Sequence, residues 1–243
     1  MAGHRESELE TPQRSKNWQT IWTRKFEQAN VPLHKLDGFD LLTNEEWVTL
    51  VQRFKNIIGP VDEMDIMEIG CGAGAFLSHF REARSIAGID YTNGAIEAIR
   101  SQLQGSFLVA DANKIPFEDK SFDVVFSFGV FFYFDDFRYA ENVLDEMLRI
   151  TRTSGSIYIF DINDAGNKTI YDEIRSRENR DKQKLCDIET NHLFYPKSFF
   201  ERYAKNRNLI VDIVDETTLG LAFHTGVNYR FYVKLKLQPV SLK

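Results

Sequence analysis

The sequence predicts a doubly wound α/β fold around a mostly parallel, seven-stranded sheet. Three observations lead there. Short apolar runs alternate with amphipathic segments from Asp65 to Phe160. The first run ends on glycines at alternate positions, Gly70, Gly72 and Gly74, and two further strand-like stretches follow near the C-terminus. Strand and helix in steady alternation imply parallel strands with helices on both faces. A chain of 243 residues with 43% hydrophobic content can bury one large core.

The elements follow in order. Residues 1–16 are polar and mixed in charge, and read as a disordered tail. Residues 17–60 form a helical cap: Trp18, Ile21, Trp22 and Phe26 share one helical face. The stretch NVPLHKLDGFDLL reads as a loop, and Thr43–Glu46 as a capping box. The helix after it carries Trp47, Leu50, Val51, Phe54, Ile57 and Ile58 on one face and stops at Gly59-Pro60. Residues 61–243 make the main domain. Strands are expected at Asp65–Ile69, Ile86–Ile89, Phe107–Ala110, Val124–Phe128 and Ser156–Phe160. Helices are expected at Ala75–Glu82, Ala95–Leu103 and Arg138–Ile150. The charged segment from Asn167 reads as a surface helix, and another helix starts on Pro196. LIVDIVDE and YRFYVKLKL then close the sheet edge as a hairpin-like pair, one strand antiparallel to the rest.

Charge and composition narrow the partners. With 36 acidic against 30 basic residues the formal net charge is −6, which disfavours a nucleic-acid partner. Cys71 and Cys186 have no metal or redox spacing. The N-terminus lacks the apolar core of a signal peptide, and the longest apolar run, Val124–Phe134, is too short to span a bilayer. A cytoplasmic protein without membrane contact is expected; the oligomeric state stays open.

The glycine turn brings backbone close to a nucleotide. Gly70-x-Gly72-x-x-Ala75 also satisfies the dinucleotide fingerprint, so NAD is the competing ligand. Glu68 argues against it, because a carboxylate just before the glycines repels a pyrophosphate and holds an ammonium. Asp90, at the end of the second strand, can accept from both ribose hydroxyls. Asp111-Ala112, at the end of the third, can read an adenine through carboxylate and backbone amides.

MEIGCGAGAF, GIDYTNGAI, DANKIPFEDKSFDVVFS and GSIYIFDIN, in that order, resemble the class I S-adenosylmethionine-dependent methyltransferases, over roughly residues 60–165. The resemblance implies a Rossmann-like methyltransferase fold and S-adenosyl-L-methionine as cofactor. It places Glu68 and the turn (Gly70, Gly72, Gly74) at the methionine end, Asp90 at the ribose, and Asp111 and Ala112 at the adenine. Tyr91 would lie against the adenine face and Phe128 beside the sulfonium, with a surface tyrosine and a core phenylalanine as the plainer readings.

Methyl transfer from a sulfonium is an in-line displacement, and positioning alone can supply about 7–11 kcal/mol. The acceptor should lie beyond the carboxyl ends of the strands, near Phe131, Phe132, Tyr133 and Phe134. Candidate polar groups are Tyr133, Asp161, His192, Tyr195 and His224; Tyr133 and His192 are the expected catalytic pair, His192 as a base. A loop histidine satisfied by its surroundings is the alternative. Asp161 and Asn163 resemble part of a metal-dependent catechol methyltransferase site, but the rest of that set is missing and no metal is assigned. The expected activity is methylation of a nitrogen or oxygen of a small molecule. An NAD-dependent oxidoreductase and a non-catalytic partner protein are the alternatives. The helix with Trp18 and Trp22 is expected to act as a lid.

Overall fold

The computed structural model describes residues 13–28, 30–181 and 191–238. The expected tail falls mostly outside these residues, as does Cys186. Two helical segments, α1 (Gln13–Phe26) and α2 (Leu33–Leu36), precede α3 (Asn44–Ile58). The main domain then runs β1 (Asp65–Ile69), β2 (Ser85–Asp90), α4 (Asn93–Arg100), β3 (Ser106–Val109), β4 (Phe122–Phe128), α5 (Phe137–Ile150) and β5 (Thr151–Asn163). It finishes with α6 (Lys168–Asp181), α7 (Lys197–Asn206), β6 (Leu209–Asp215) and β7 (Arg230–Leu237).

The seven strands lie in the order β3-β2-β1-β4-β5-β7-β6. The first five pair in parallel, and β7 is antiparallel to both β5 and β6. The sequence expectation holds in class, strand number and direction. Parallel strands covered on both faces need continuous apolar runs, and β1 and β4 have them. Burial divides into two clusters. One packs α5 and α7 on the sheet through Val143, Leu144, Met147, Phe199 and Phe200. The other packs α3 on it through Leu50, Val51 and Phe54 against Phe76, Phe126 and Phe160. No helix among the described residues is long and apolar enough to cross a membrane.

Two expectations need correction. The helix expected over Ala75–Glu82 is only a 3₁₀ turn at Leu77–Phe80. Phe76, Leu77 and Phe80 are each at most 2% exposed and anchor this turn in the second cluster, while Arg81 and Glu82 on its other side are exposed. The loop before Thr43 contains α2, whose C-terminal residue is followed by Asp37.

The capping box is present in full: Glu46 N–H donates to Thr43 Oγ1 at 3.2 Å, and Thr43 N–H donates to Glu46 Oε2 at 2.8 Å. It sets the start of the helix that fills the second cluster. Thr43→Ala is expected to lower folding stability by about 0.5–2 kcal/mol. Denaturant unfolding checks it: the midpoint should fall with an unchanged slope.

Candidate active site

The turn after β1 is bound to β2 by its backbone. Gly70 N–H and Cys71 N–H both donate to Ile89 O, at 2.8 and 2.9 Å. Gly70, Gly72 and Gly74 all have positive φ (71°, 51° and 87°), a region open mainly to glycine. A Cβ on Gly70 would lie 2.5 Å from Val130 Cγ2, and one on Gly72 would collide with Asp37 Oδ1. Glycine is required here by conformation and by space.

Three carboxyl groups surround this turn. Glu68 is buried on β1, and its Oε2 has no hydrogen-bond partner. Asp90 is buried at the end of β2; its Oδ2 accepts from Gly72 N–H at 3.2 Å and its Oδ1 from Thr92 N–H at 2.8 Å. Asp37 reaches in from the cap, accepting from Ala73 N–H at 2.6 Å and Ala75 N–H at 2.9 Å. Burial is the main cause of all three pKa rises. Glu68 lies well above its ordinary range, with Asp37 and Asp90 adding to the effect; Asp37 is pushed up to about 7; Asp90 is raised. The same burial and the same carboxyls raise the Cys71 thiol well above its range, so it is not a nucleophile. Three neighbouring carboxyls, one of them with a buried oxygen that has no partner, can ionise together only beside a cation. The turn therefore fits a ligand carrying an ammonium group and opposes a pyrophosphate.

Asp111 is exposed two residues after the end of β3, accepting from Tyr139 O–H at 2.5 Å and Asn113 N–H at 3.0 Å. Ala112 is half-buried beside it. Tyr91 is half-buried, not a free surface residue, and its hydroxyl oxygen is buried with no partner. Phe128 stacks on Phe76 with centroids 4.5 Å apart and packs against Phe39 and Phe54, in keeping with the plainer of its two readings. Val130, two residues on, is the side chain that meets the turn.

Beyond the carboxyl end of β4, three elements bring aromatic rings together. Trp18 of α1 stacks on His192 with centroids 5.2 Å apart, and it meets the Tyr133 ring edge-on at 4.5 Å. Trp22 meets Tyr133 at 5.6 Å, and Phe132 lies 4.8 Å from His192. His192 Nδ1 is 3.0 Å from Tyr171 O–H. If the hydroxyl donates, the histidine proton sits on Nε2; with the roles reversed, Nε2 is the basic atom. Burial raises the Tyr133 phenol, so it is a neutral hydroxyl and not an ionised base. Tyr195, another sequence candidate, spends its hydroxyl on Phe131 O at 2.8 Å and is structural.

Asp161 sits at a break in β5–β7 register between Ile159 and Ile162, with φ 65°. Such strain in a non-glycine residue persists only where the surroundings enforce it. Arg230 Nη1 donates to both its carboxylate oxygens at 2.6 Å, and Asp161 N–H donates to Glu216 Oε1 at 2.7 Å. Burial opposes the Asp161 charge, but Arg230 and His224, 3.7 Å away, outweigh it and hold the group below its ordinary range. Glu216, buried beside the Asp161 charge, is raised well above its own. The sequence singled out Asp161 and His224 but not Arg230 or Glu216, which join them only through the strand order. Among the described residues no cluster of metal-ligating side chains occurs.

Residues 67–159 match the methyltransferase domain family. The bovine protein named "Probable tRNA methyltransferase 9B" is 30% identical over 95 residues, covering 39% of this chain and 20% of that protein. Demethylmenaquinone methyltransferase of Thermotoga maritima is 27% identical over 129 residues, covering 51% of this chain and 55% of that one. The chain thus spans between a fifth and about half of the length of these relatives. Among solved structures, phosphoethanolamine N-methyltransferase 1 of Haemonchus contortus, in complex with phosphoethanolamine and S-adenosylhomocysteine, superposes with a TM-score of 0.69 at 15% identity. That match covers 95% of this chain and 50% of the other. Residues 67–159 thus carry a methyltransferase domain, and the fold around them is that of the phosphoethanolamine N-methyltransferase solved with S-adenosylhomocysteine.

Asp90→Ala removes a charged acceptor and is expected to weaken S-adenosylhomocysteine binding by about 1.5–3 kcal/mol, ten-fold or more. Gly72→Val should abolish binding, since the new side chain meets Asp37 and an unfavourable φ. Titration calorimetry on the folded variants checks both; normal binding by Gly72→Val would make the turn structural only.

Proposed function

We propose that this chain transfers the methyl group of S-adenosyl-L-methionine to a nitrogen or oxygen of a small, largely apolar acceptor held beneath the N-terminal cap. The observation that supports this most is the meeting of Trp18, Tyr133 and His192, from three separate elements, at the carboxyl end of the sheet. In this reading Glu68, Asp90 and the glycine turn hold the cofactor, with Asp111, Ala112 and Tyr91 at its adenine. The cofactor supplies the electrophilic methyl group. The protein's work is alignment and exclusion of water, with the indoles of Trp18 and Trp22 roofing the chamber.

Tyr133 and His192 are the residues proposed to face the acceptor. Tyr133, a neutral phenol, would donate a hydrogen bond that orients it. His192, in the tautomer with Nε2 bare, would take the proton of a hydroxyl or ammonium acceptor. The tRNA methyltransferase relatives offer RNA as a second acceptor class. The formal charge of −6 and the aromatic lining favour a small neutral or cationic molecule. Release of S-adenosylhomocysteine, followed over a metabolite panel with bulk tRNA as a separate arm, decides between them. Turnover on tRNA alone would refute the small-molecule reading.

The cap gives a second test. Deleting residues 1–24 removes both indoles while leaving the sheet and α3 intact. Turnover should fall by at least ten-fold with little change in melting temperature. Hydrogen exchange over residues 17–28 and 30–38 should show added protection when S-adenosylhomocysteine and acceptor bind. Equal protection in all states would make α1 a fixed structural helix.

A further inference from the structure

Asp37 lies outside every motif of the domain, on a segment that precedes the matched residues, yet it makes the closest contact with the glycine turn. Its two oxygens occupy the amides of Ala73 and Ala75, and Gly72 has no room for a methyl group because Asp37 is there. It is fastened to the cap as well: a Cβ on the next residue, Gly38, would lie 2.9 Å from the Trp22 ring. Glu68 Oε2, buried without a partner, belongs to the same corner.

We infer that Asp37 is a cofactor-positioning residue supplied by the cap: with Glu68 it faces the methionyl ammonium of S-adenosylmethionine, so that the cap and the cofactor are held by one carboxylate. This rests on the cofactor reading above. The inference follows from charge. Asp37, Glu68 and Asp90 converge on one turn. Lys25 of α1 acts on Asp37 only through space, its ammonium donating to Asp40 at 2.6 Å. A carboxyl cluster in that state carries protons until a cation replaces them. S-adenosylmethionine brings two positive groups, its ammonium and its sulfonium, and the product brings only the ammonium. A third carboxylate therefore favours the methyl donor over the product, which helps product leave.

The pH dependence has a definite sign. The groups facing Asp37 are Glu68 on β1, Cys71 in the turn, Asp90 on β2 and Lys25 on α1. In the empty protein Asp37 holds its proton up to about 7. The bound ammonium favours the ionised form, so binding expels a proton below that pH. Affinity should then rise as pH increases from 6 to 7.2, a range in which the ligand's own amine stays charged.

The test is calorimetry of S-adenosylmethionine and S-adenosylhomocysteine binding at pH 6 and 7.2, in wild type and Asp37→Asn, with melting curves as the check on folding. In wild type the methyl donor should bind several-fold tighter at the higher pH, with proton release seen as a buffer-dependent heat. Asn keeps the size of Asp and one acceptor oxygen for a turn amide. Asp37→Asn should weaken donor binding about ten-fold at pH 7.2, weaken product binding less, and flatten the pH profile. If the folded variant keeps the wild-type affinity, donor-to-product ratio and pH profile, Asp37 is only a staple for the cap and the inference fails alone. If wild type binds neither ligand, the cofactor reading fails and takes this inference with it. Should Asp37→Asn not fold, Asp37→Glu replaces it: a retained pH profile with weakened affinity supports the inference, and an unchanged affinity overturns it.

Discussion

The convergence of three carboxyl groups, Glu68 and Asp90 buried and Asp37 half-buried, on one backbone turn is the constraint on which the site depends. An unpaired buried charge is too costly to keep, so the corner resolves the conflict by protonation and by backbone donors. The amides of Gly72, Ala73 and Ala75 each serve a carboxylate oxygen. Those donors are available only because the glycines turn the chain with positive φ. The turn in turn hangs on Ile89 O, which ties it to the next strand. Conformation, hydrogen bonding and charge thus meet at six or seven residues, and the sheet supplies the rigidity that holds them.

The junction of β5 and β7 is built on a different principle. There a full ion pair, Asp161 with Arg230, is kept charged in the interior, and Glu216 holds the backbone of the strained residue. Such pairs add little net stability but penalise any arrangement that separates them. The arrangement fixes the end of β5 relative to β7, and so fixes the floor against which Phe132 and Tyr133 pack. Arg230 also lies 5.1 Å from the Phe132 ring, joining the charged cluster to the aromatic one.

Much of this was legible in the sequence where the signal is local. Buried parallel strands must be short apolar runs, so β1, β2 and β4 announce themselves, and the Thr43–Glu46 box marks the start of α3 within a residue. The carboxylates Glu68 and Asp90 were legible because they sit at fixed offsets from the glycines. What escaped was non-local or compensated. The Leu77–Phe80 segment reads as part of a helix, yet the crossover between β1 and β2 holds only a 3₁₀ turn there. Phe128 was ambiguous because a strand's last residue can point to either side. Asp37 was illegible: a lone aspartate in a loop carries no pattern, and its partners are 36 and 38 residues away. Arg230 pairs across 69 residues and has no local signature either.

The position of β7 between β5 and β6 bears on the order in which the chain is made. β5 and β6 are not neighbours; they are joined only through β7, whose last residue is Leu237. A ribosome that has released everything through Asp215 has made six strands, yet only five of them can join into one sheet. Until residue 230 emerges, Asp161 has no guanidinium, and one edge of β5 offers unpaired backbone groups to any other nascent chain. The Asp161–Arg230 side of the molecule is therefore completed last. A chain cut short by even the final strand would have its glycine-turn half formed and its β5 edge open.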